Sequence, residues 1–343
     1  MFRLVAAHGC PASMTETNHS RPLEWRDLPL LHRLRQHGLC FDSIQAYTRG
    51  PHPLQSALLD AVRPGRSDST WVAPHASKRA LTAIGQVSYP PGARVGRLAF
   101  VAPEAAISQD NMLHLLESLA TAVGRRGGHH LIAEVNEDNP AFERLRQAGF
   151  AVYARQRVWC RPAEAQPPTA GAADRWRSNV PDDELAIQRL YWSLVPALVQ
   201  QVESPPAGSP AGLVHWSGDE LHGYLDLDHG PLGVWVQPYF HPAVSDHADL
   251  LAAAFGRLAE RHQQPIYVCV RSYQGWMNAS LDAMGFQRTA AQAVMVKRLV
   301  ARVQQAVELP LPSLEATRAE PTAPITSSTI ETPPYAGAEP PTP

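Results

Sequence analysis

The sequence predicts two tandem α/β domains, each a mixed, mostly antiparallel sheet flanked by helices. Three observations carry this. A strand–helix–strand unit closes on a Gly-Phe pair. The unit occurs twice. The two copies stay in register with landmarks outside them. The first copy is residues 131–159, LIAEVNEDNPAFERLRQAGFAVYARQRVW. Leu131 to Val135 reads as a short apolar strand. Asp138 and Asn139 are N-cap candidates, and Pro140 takes the first helical position, where a missing N–H costs nothing. Phe142, Leu145 and Ala148 form the helix's apolar face. Gly149 ends it, and Phe150 opens a strand with Val152 and Val158 as core candidates.

In the second copy Ile266 to Val270 is the strand, Trp276 to Met284 the helix, Gly285-Phe286 the stop and Ala290 to Val296 the last strand. Val135 and Val270, Leu116 and Leu251, and Pro103 and Pro238 are each separated by about 135 residues, the size of one small domain. Gly149 and Gly285 are expected in the left-handed position that follows a helix.

This order resembles the second half of the GNAT acetyltransferase fold. That half runs strand, phosphate-gripping turn, helix, strand, helix, Gly-Phe, strand. Leu98 to Pro103, Met112 to Val123 and residues 131–159 are similar to it. Gly233 to Pro238, Ala248 to Ala259 and Ile266 to Lys297 are similar to it again. The resemblance implies two GNAT-like N-acyltransferase domains, acetyl-CoA or another acyl-CoA as cofactor, and a small-molecule amine as acceptor.

Composition sets bounds on the partners. The chain has 343 residues, long enough for two domains with separate cores. A net charge of -2 gives no argument for nucleic acid or an anionic membrane. No apolar run approaches the length of a membrane span. Cys10, Cys40, Cys160 and Cys269 form no C-x-x-C pair, so thiols in a reducing cytosol are expected, not a disulfide framework or a thiolate zinc site.

Residues 1–20 read as a loose terminus. Arg21 to Gln36 reads as a strand and then a helix, with Asp27 as N-cap. Gln55 to Val62 reads as a second helix, and Thr70 to Ala73, Ala83 to Tyr89 and Arg97 to Val101 as strands. The first domain is 21–162, and 163–174 is a linker by composition. The second domain, 175–303, opens with Trp176-Arg177, echoing Trp25-Arg26. Asp182 and Asp183 precede a helix carrying Leu185, Ile187, Leu190 and Leu194. Leu213 to Trp216, Leu221 to Leu227 and Gly233 to Gln237 read as an antiparallel meander. Residues 304–343 are Pro-rich and core-poor, hence expected to be disordered.

Acyl-CoA chemistry needs backbone N–H groups at a helix N-terminus for the pyrophosphate, and a gap between splayed parallel strands for the pantetheine arm. The resemblance places the first in the turn after Pro103 and the second beside Val101 and Val135. Its cofactor-binding residues are then Val101, Ala106, Ile107, Ser108, Gln109, Asp110 and Asn111, with Asn139 before the next helix. The family's glycine-bearing motif is absent. Its Arg falls on Ala106 and its glycines on Gln109 and Asn111; in the second copy the same positions are His241, Val244 and Asp246. Asp110 is expected to cap the helix it precedes. Leu145 and Leu281 stand where the family often has a Tyr acid. Glu134 and Glu104 are the general-base candidates, and Cys269 matches Glu134 in the second copy. The His129-His130 pair and Asp226-Leu227-Asp228-His229 do not converge on a metal by local geometry. Two functions follow: an N-acyltransferase working from the first domain, or a non-catalytic pair of domains that binds or scaffolds.

Overall fold

Periodicity in the sequence becomes helices and strands much as the pattern demands. The structure, a computed structural model, describes residues 20–34, 37–50, 68–74, 81–90, 92–165, 175–206, 208 and 211–299. The helix expected at 55–62, most of the linker and the tail lie outside them.

In the first half, β1 (Arg21–Pro22) leads to α1 (Leu28–Leu34), β2 (Leu39–Cys40) and α2 (Ser43–Thr48). Then come β3 (Asp68–Ala73), β4 (Ala83–Ser88), β5 (Val95–Ala102), α3 (Asn111–Arg125), β6 (His130–Asn136), α4 (Pro140–Gln147) and β7 (Ala151–Arg161). The second half repeats the order with β8 (Arg177–Ser178), α5 (Glu184–Leu194), α6 (Ala197–Gln200), β9 (Leu213–Ser217), β10 (Glu220–Gly230) and β11 (Gly233–Phe240). It ends with α7 (His247–His262), β12 (Ile266–Arg271), α8 (Asn278–Ala283) and β13 (Gln287–Arg298). The expected meander is β9–β10–β11.

Helix α3 shows why the elements form. Met112, Leu115, Leu116, Leu119 and Val123 recur at helical spacing and are all buried. Each such side chain contributes about 1.5–3 kcal/mol against the unfolded chain. Asn139 caps α4, its Oδ1 accepting the Ala141 N–H at 2.8 Å. Gly149 and Gly285 sit at φ 85° and 79°, the left-handed region foreseen for both.

The two halves share one sheet. Its order is β1-β3-β4-β5-β6-β13-β7-β12-β11-β10-β9-β8, with β2 attached to β5. Strand β13, from the second half, runs antiparallel between β6 and β7 of the first. Strand β7 in turn lies between β13 and β12. Each half has lent its last strand to the other. The cores are therefore mixed and not separate: Ala293 and Met295 enter the first, and Trp159 the second.

One repeated device corrects the sequence alignment. Arg21 grips Asp27 with two bonds of 2.7 and 2.8 Å, and Arg177 grips Asp183 with two of 2.7 Å. Each aspartate also accepts a backbone N–H three residues earlier, from Glu24 or Val180. Arg21 thus matches Arg177. Trp25 does not match Trp176: the first is 83% exposed, the second 2%.

Candidate functional site

Strands β5 and β6 are parallel and pair over Val95–Arg97 with His130–Ile132; β11 and β12 pair over Val234–Val236 with Ile266–Val268. Beyond these short ladders each pair diverges. The tandem architecture therefore carries two gaps of the kind a pantetheine arm needs, and they differ.

The first gap is filled by the chain itself. Strand β2 pairs with Val101 and Phe100 of β5. Next along the chain, the Phe41 N–H donates to the Ala99 carbonyl and the Phe41 carbonyl accepts from the Glu134 N–H, both at 2.9 Å. Phe41, 1% exposed, plugs the core below. The edges beside Val101 and Val135 are consequently occupied by main chain.

The residues expected to bind the cofactor are scattered by this arrangement. Ala106 and Ile107 belong to the core, in a 3-10 turn over Glu104–Ser108. Glu104 and Ser108 are exposed. The Gln109 Oε1 accepts the Leu81 N–H, and Asn111 donates to the Ala73 and Leu81 carbonyls, tying α3 to its neighbours. Asp110 stands at the start of α3 but caps nothing, contrary to expectation. Its backbone is already helical (φ -67°, ψ -32°), whereas a capping side chain needs an extended backbone to reach back to the helix N–H groups.

The second gap is bridged by side chains. The Gln274 Nε2 donates to the Pro238 carbonyl at 2.6 Å, and the Gln274 Oε1 accepts the Arg271 N–H at 3.1 Å. A carboxamide here makes the same two kinds of bond that the Phe41 main chain makes in the first gap. Beside it lies a cavity of about 480 Å³ lined by Phe240, His241, Val244, His247, Tyr273, Gln274 and Trp276 among others. It sits between the end of β11 and the start of α7. Trp276, 44% exposed, packs edge-on to His247 at 4.5 Å. Asp246, the residue before α7, is paired with Arg175 at 2.5 Å, so its charge is answered.

A second cavity, about 440 Å³, lies on the sheet between the two halves. Glu134, Arg97, Gln156, Glu203, Arg271, Asp226 and Cys269 line it, and Tyr273 borders both cavities. Glu134 is 5% exposed and accepts bonds from the Ser43 N–H and Gln156 Nε2, each at 3.0 Å, with Arg97 at 3.4 Å. Burial works against the Arg97 charge, but Asp42 and Glu134 outweigh it and raise its pKa. Glu203 is held below the carboxylate range: burial pushes it up, and Arg271 and the Tyr153 hydroxyl more than offset this. Cys269 bonds to Gln156, and burial pushes its thiol up to about 12. Glu134 and Cys269, matched in sequence, do meet, about a polar cluster that Gln156 and Gln292 complete. Glu104 is not among the residues lining this cavity.

Sequence reasoning missed Arg271, Glu203 and the plug at 39–42. A Leu-Cys-Phe-Asp run carries no local sign that it will bridge two strands.

The fold is that of the GCN5-related N-acetyltransferases, in tandem. It is similar to a GCN5-related N-acetyltransferase from Sphaerobacter thermophilus at 14% identity and a TM-score of 0.55, covering 81% of this chain and 95% of that one. A tandem GNAT protein from the clavulanic acid biosynthesis pathway aligns at 16% identity and a TM-score of 0.49, covering 82% of this chain and 98% of that one. No family model and no curated protein matches the sequence. Among the described residues no helix is long and apolar enough to cross a membrane.

Proposed function

We propose that the chain is an N-acyltransferase that binds acyl-CoA in its second half and an amine acceptor in the central cavity. The observation that carries this is the contrast between the gaps. Main chain closes the first, while the second opens on a cavity at a helix start. The site thus moves from the first half, where the sequence places it, to the second.

The residues there suit the thioester arm. The Pro238 carbonyl and Arg271 N–H, now satisfied by Gln274, are an acceptor and a donor at the spacing an amide bridges. Trp276, Phe240 and Val244 offer apolar contact. Arg175 removes the repulsion that Asp246 would exert on a phosphate. Bound acyl-CoA would supply an activated acyl group: a C–N bond forms, the C–S bond breaks, and the proton that the nitrogen loses is balanced by the one the departing CoA thiol takes up. Tyr273, bordering both cavities, marks where the two substrates meet. Cys40, Cys160 and Cys269 carry free thiols, which suits a reducing compartment, and we place the chain in the cytosol.

Calorimetry with acetyl-CoA and with CoA on the full chain tests the reading. One saturable site is expected. No binding of either would sink it and leave the non-catalytic module.

A further inference from the structure

We propose that the central cavity binds a small zwitterion, an amine that also carries a carboxylate, with its ammonium at Asp226 and its carboxylate at Arg271. The seat as acyl acceptor rests on the function proposed above; the binding itself does not.

The charges around the cavity are mostly answered from within. Arg97 faces Glu134, Arg271 holds Glu203, and Arg49 holds Asp228. Asp226 is different. Its side chain accepts from the Tyr224 hydroxyl at 3.0 Å and from the Leu227 backbone, and among the described residues no cation pairs with it. Burial raises its pKa, the Tyr224 bond opposes this, and Asp228 adds to it. A carboxylate left this way beside a cavity is a seat for a positive charge. The aromatic rings of Trp235, Tyr239 and Tyr273 also line the cavity, and such rings attract ammonium groups.

Arg271 supplies the other pole. It is 7% exposed, and its Nη2 spends itself on both Glu203 oxygens at 2.8 and 3.1 Å. Its Nη1 is buried and has no hydrogen-bond partner among the described residues. A buried guanidinium nitrogen without an acceptor is costly unless a ligand provides one. A carboxylate is the natural complement.

The spacing fits one molecule. Asp226 stands opposite Gln237, whose Nε2 reaches the Cys269 carbonyl one strand further on. Arg271 lies two residues beyond Cys269, on the same face of the strand. Neighbouring strands are about 4.8 Å apart and two residues add about 6.6 Å along the strand, so with β11 and β12 diverging the two poles start at least about 12 Å apart at the backbone. After both side chains reach inward, a few carbon atoms span the remainder.

The test uses the full chain without any CoA. Glycine, β-alanine and γ-aminobutyrate are titrated by calorimetry, beside propylamine and butyrate, each of which keeps one charge. At least one zwitterion is expected to bind saturably, with both single-charge compounds at least tenfold weaker. Asp226→Asn should weaken that zwitterion at least tenfold, and Asp226→Glu should keep it within a few-fold. Failure of all three zwitterions, equal binding of propylamine, or unchanged binding by Asp226→Asn overturns the proposal. Acetyl-CoA is titrated separately, so its failure would remove the acyltransferase reading and leave this result standing.

Discussion

Replacing Gln274 with alanine is expected to weaken the free protein and tighten its hold on acyl-CoA. Gln274 is 6% exposed and joins the diverging ends of β11 and β12. Its bonds at 2.6 and 3.1 Å satisfy the Pro238 carbonyl and the Arg271 N–H; the contact with Gln237, at 3.4 Å, is long and adds little. Alanine leaves one buried acceptor and one buried donor unpaired, each costing about 1–3 kcal/mol if dry. Water from the adjoining cavity recovers part of this, so a net loss of about 2 kcal/mol is expected. An arm that places its own amide in the gap restores both bonds. The energy lost by the free protein then returns on binding, and 1.4 kcal/mol is about tenfold in affinity. Urea unfolding with and without acetyl-CoA, with calorimetry on both proteins, reads the two effects together. The reasoning fails if Gln274→Ala loses stability and binds acetyl-CoA more weakly than the wild type. Gln274 would then hold the ligand and not stand in for it.

Three further outcomes are expected. Glu203→Gln should cost about 3–5 kcal/mol by urea unfolding, because Arg271 is left buried without its counter-ion. Since Glu203 is depressed in the folded state, its contribution is present above the ordinary glutamate pKa and is lost as pH falls through the folded value; Glu203→Gln should flatten that acid limb of the stability profile. Asp226 has the opposite sign: its folded pKa is raised, so the folded state holds the proton more tightly and stability declines as pH rises through the carboxylate range. Asp226→Asn should melt no lower than wild type at neutral pH, and a clear drop would show that the charge is compensated. Gly149→Ala should cost about 1 kcal/mol through backbone strain alone, as no atom lies within 4 Å of an added Cβ; a loss of several kcal/mol by thermal unfolding would contradict that.

Local signals were legible in the sequence, and pairings between distant segments were not. Gly149 and Gly285 announced both helix ends because only a residue without a Cβ sits easily at positive φ. The Asn139 cap, the apolar stripe of α3 and the meander followed from short-range chemistry in the same way. The exchange of β7 and β13 had no local signature. Either strand satisfies its alternation beside its own half or beside the other, and the choice rests on pairings between residues more than a hundred positions apart. The plug at Leu39–Asp42 escaped for the same reason, and with it the reason the first half's gap is closed. Trp25 and Trp176 do not correspond, because what the two halves repeat is a bidentate Arg-Asp grip, starting at Arg21 and Arg177. The Asp226-Leu227-Asp228-His229 run was weighed in the sequence only for a metal. Its interest lay in which carboxylate lacks a counter-ion among the described residues, and only the packed structure shows that.

The central claim is that the second gap, and not the first, receives acyl-CoA. A crystal structure of the full chain with acetyl-CoA tests it most directly. The account predicts one ligand per chain. Its arm should lie between Gln237–Phe240 and Cys269–Arg271, with the Gln274 side chain displaced and Leu39–Asp42 still bonded to β5 and β6. Density for the arm between Ala99 and Glu134, with Phe41 expelled from the core, would contradict it.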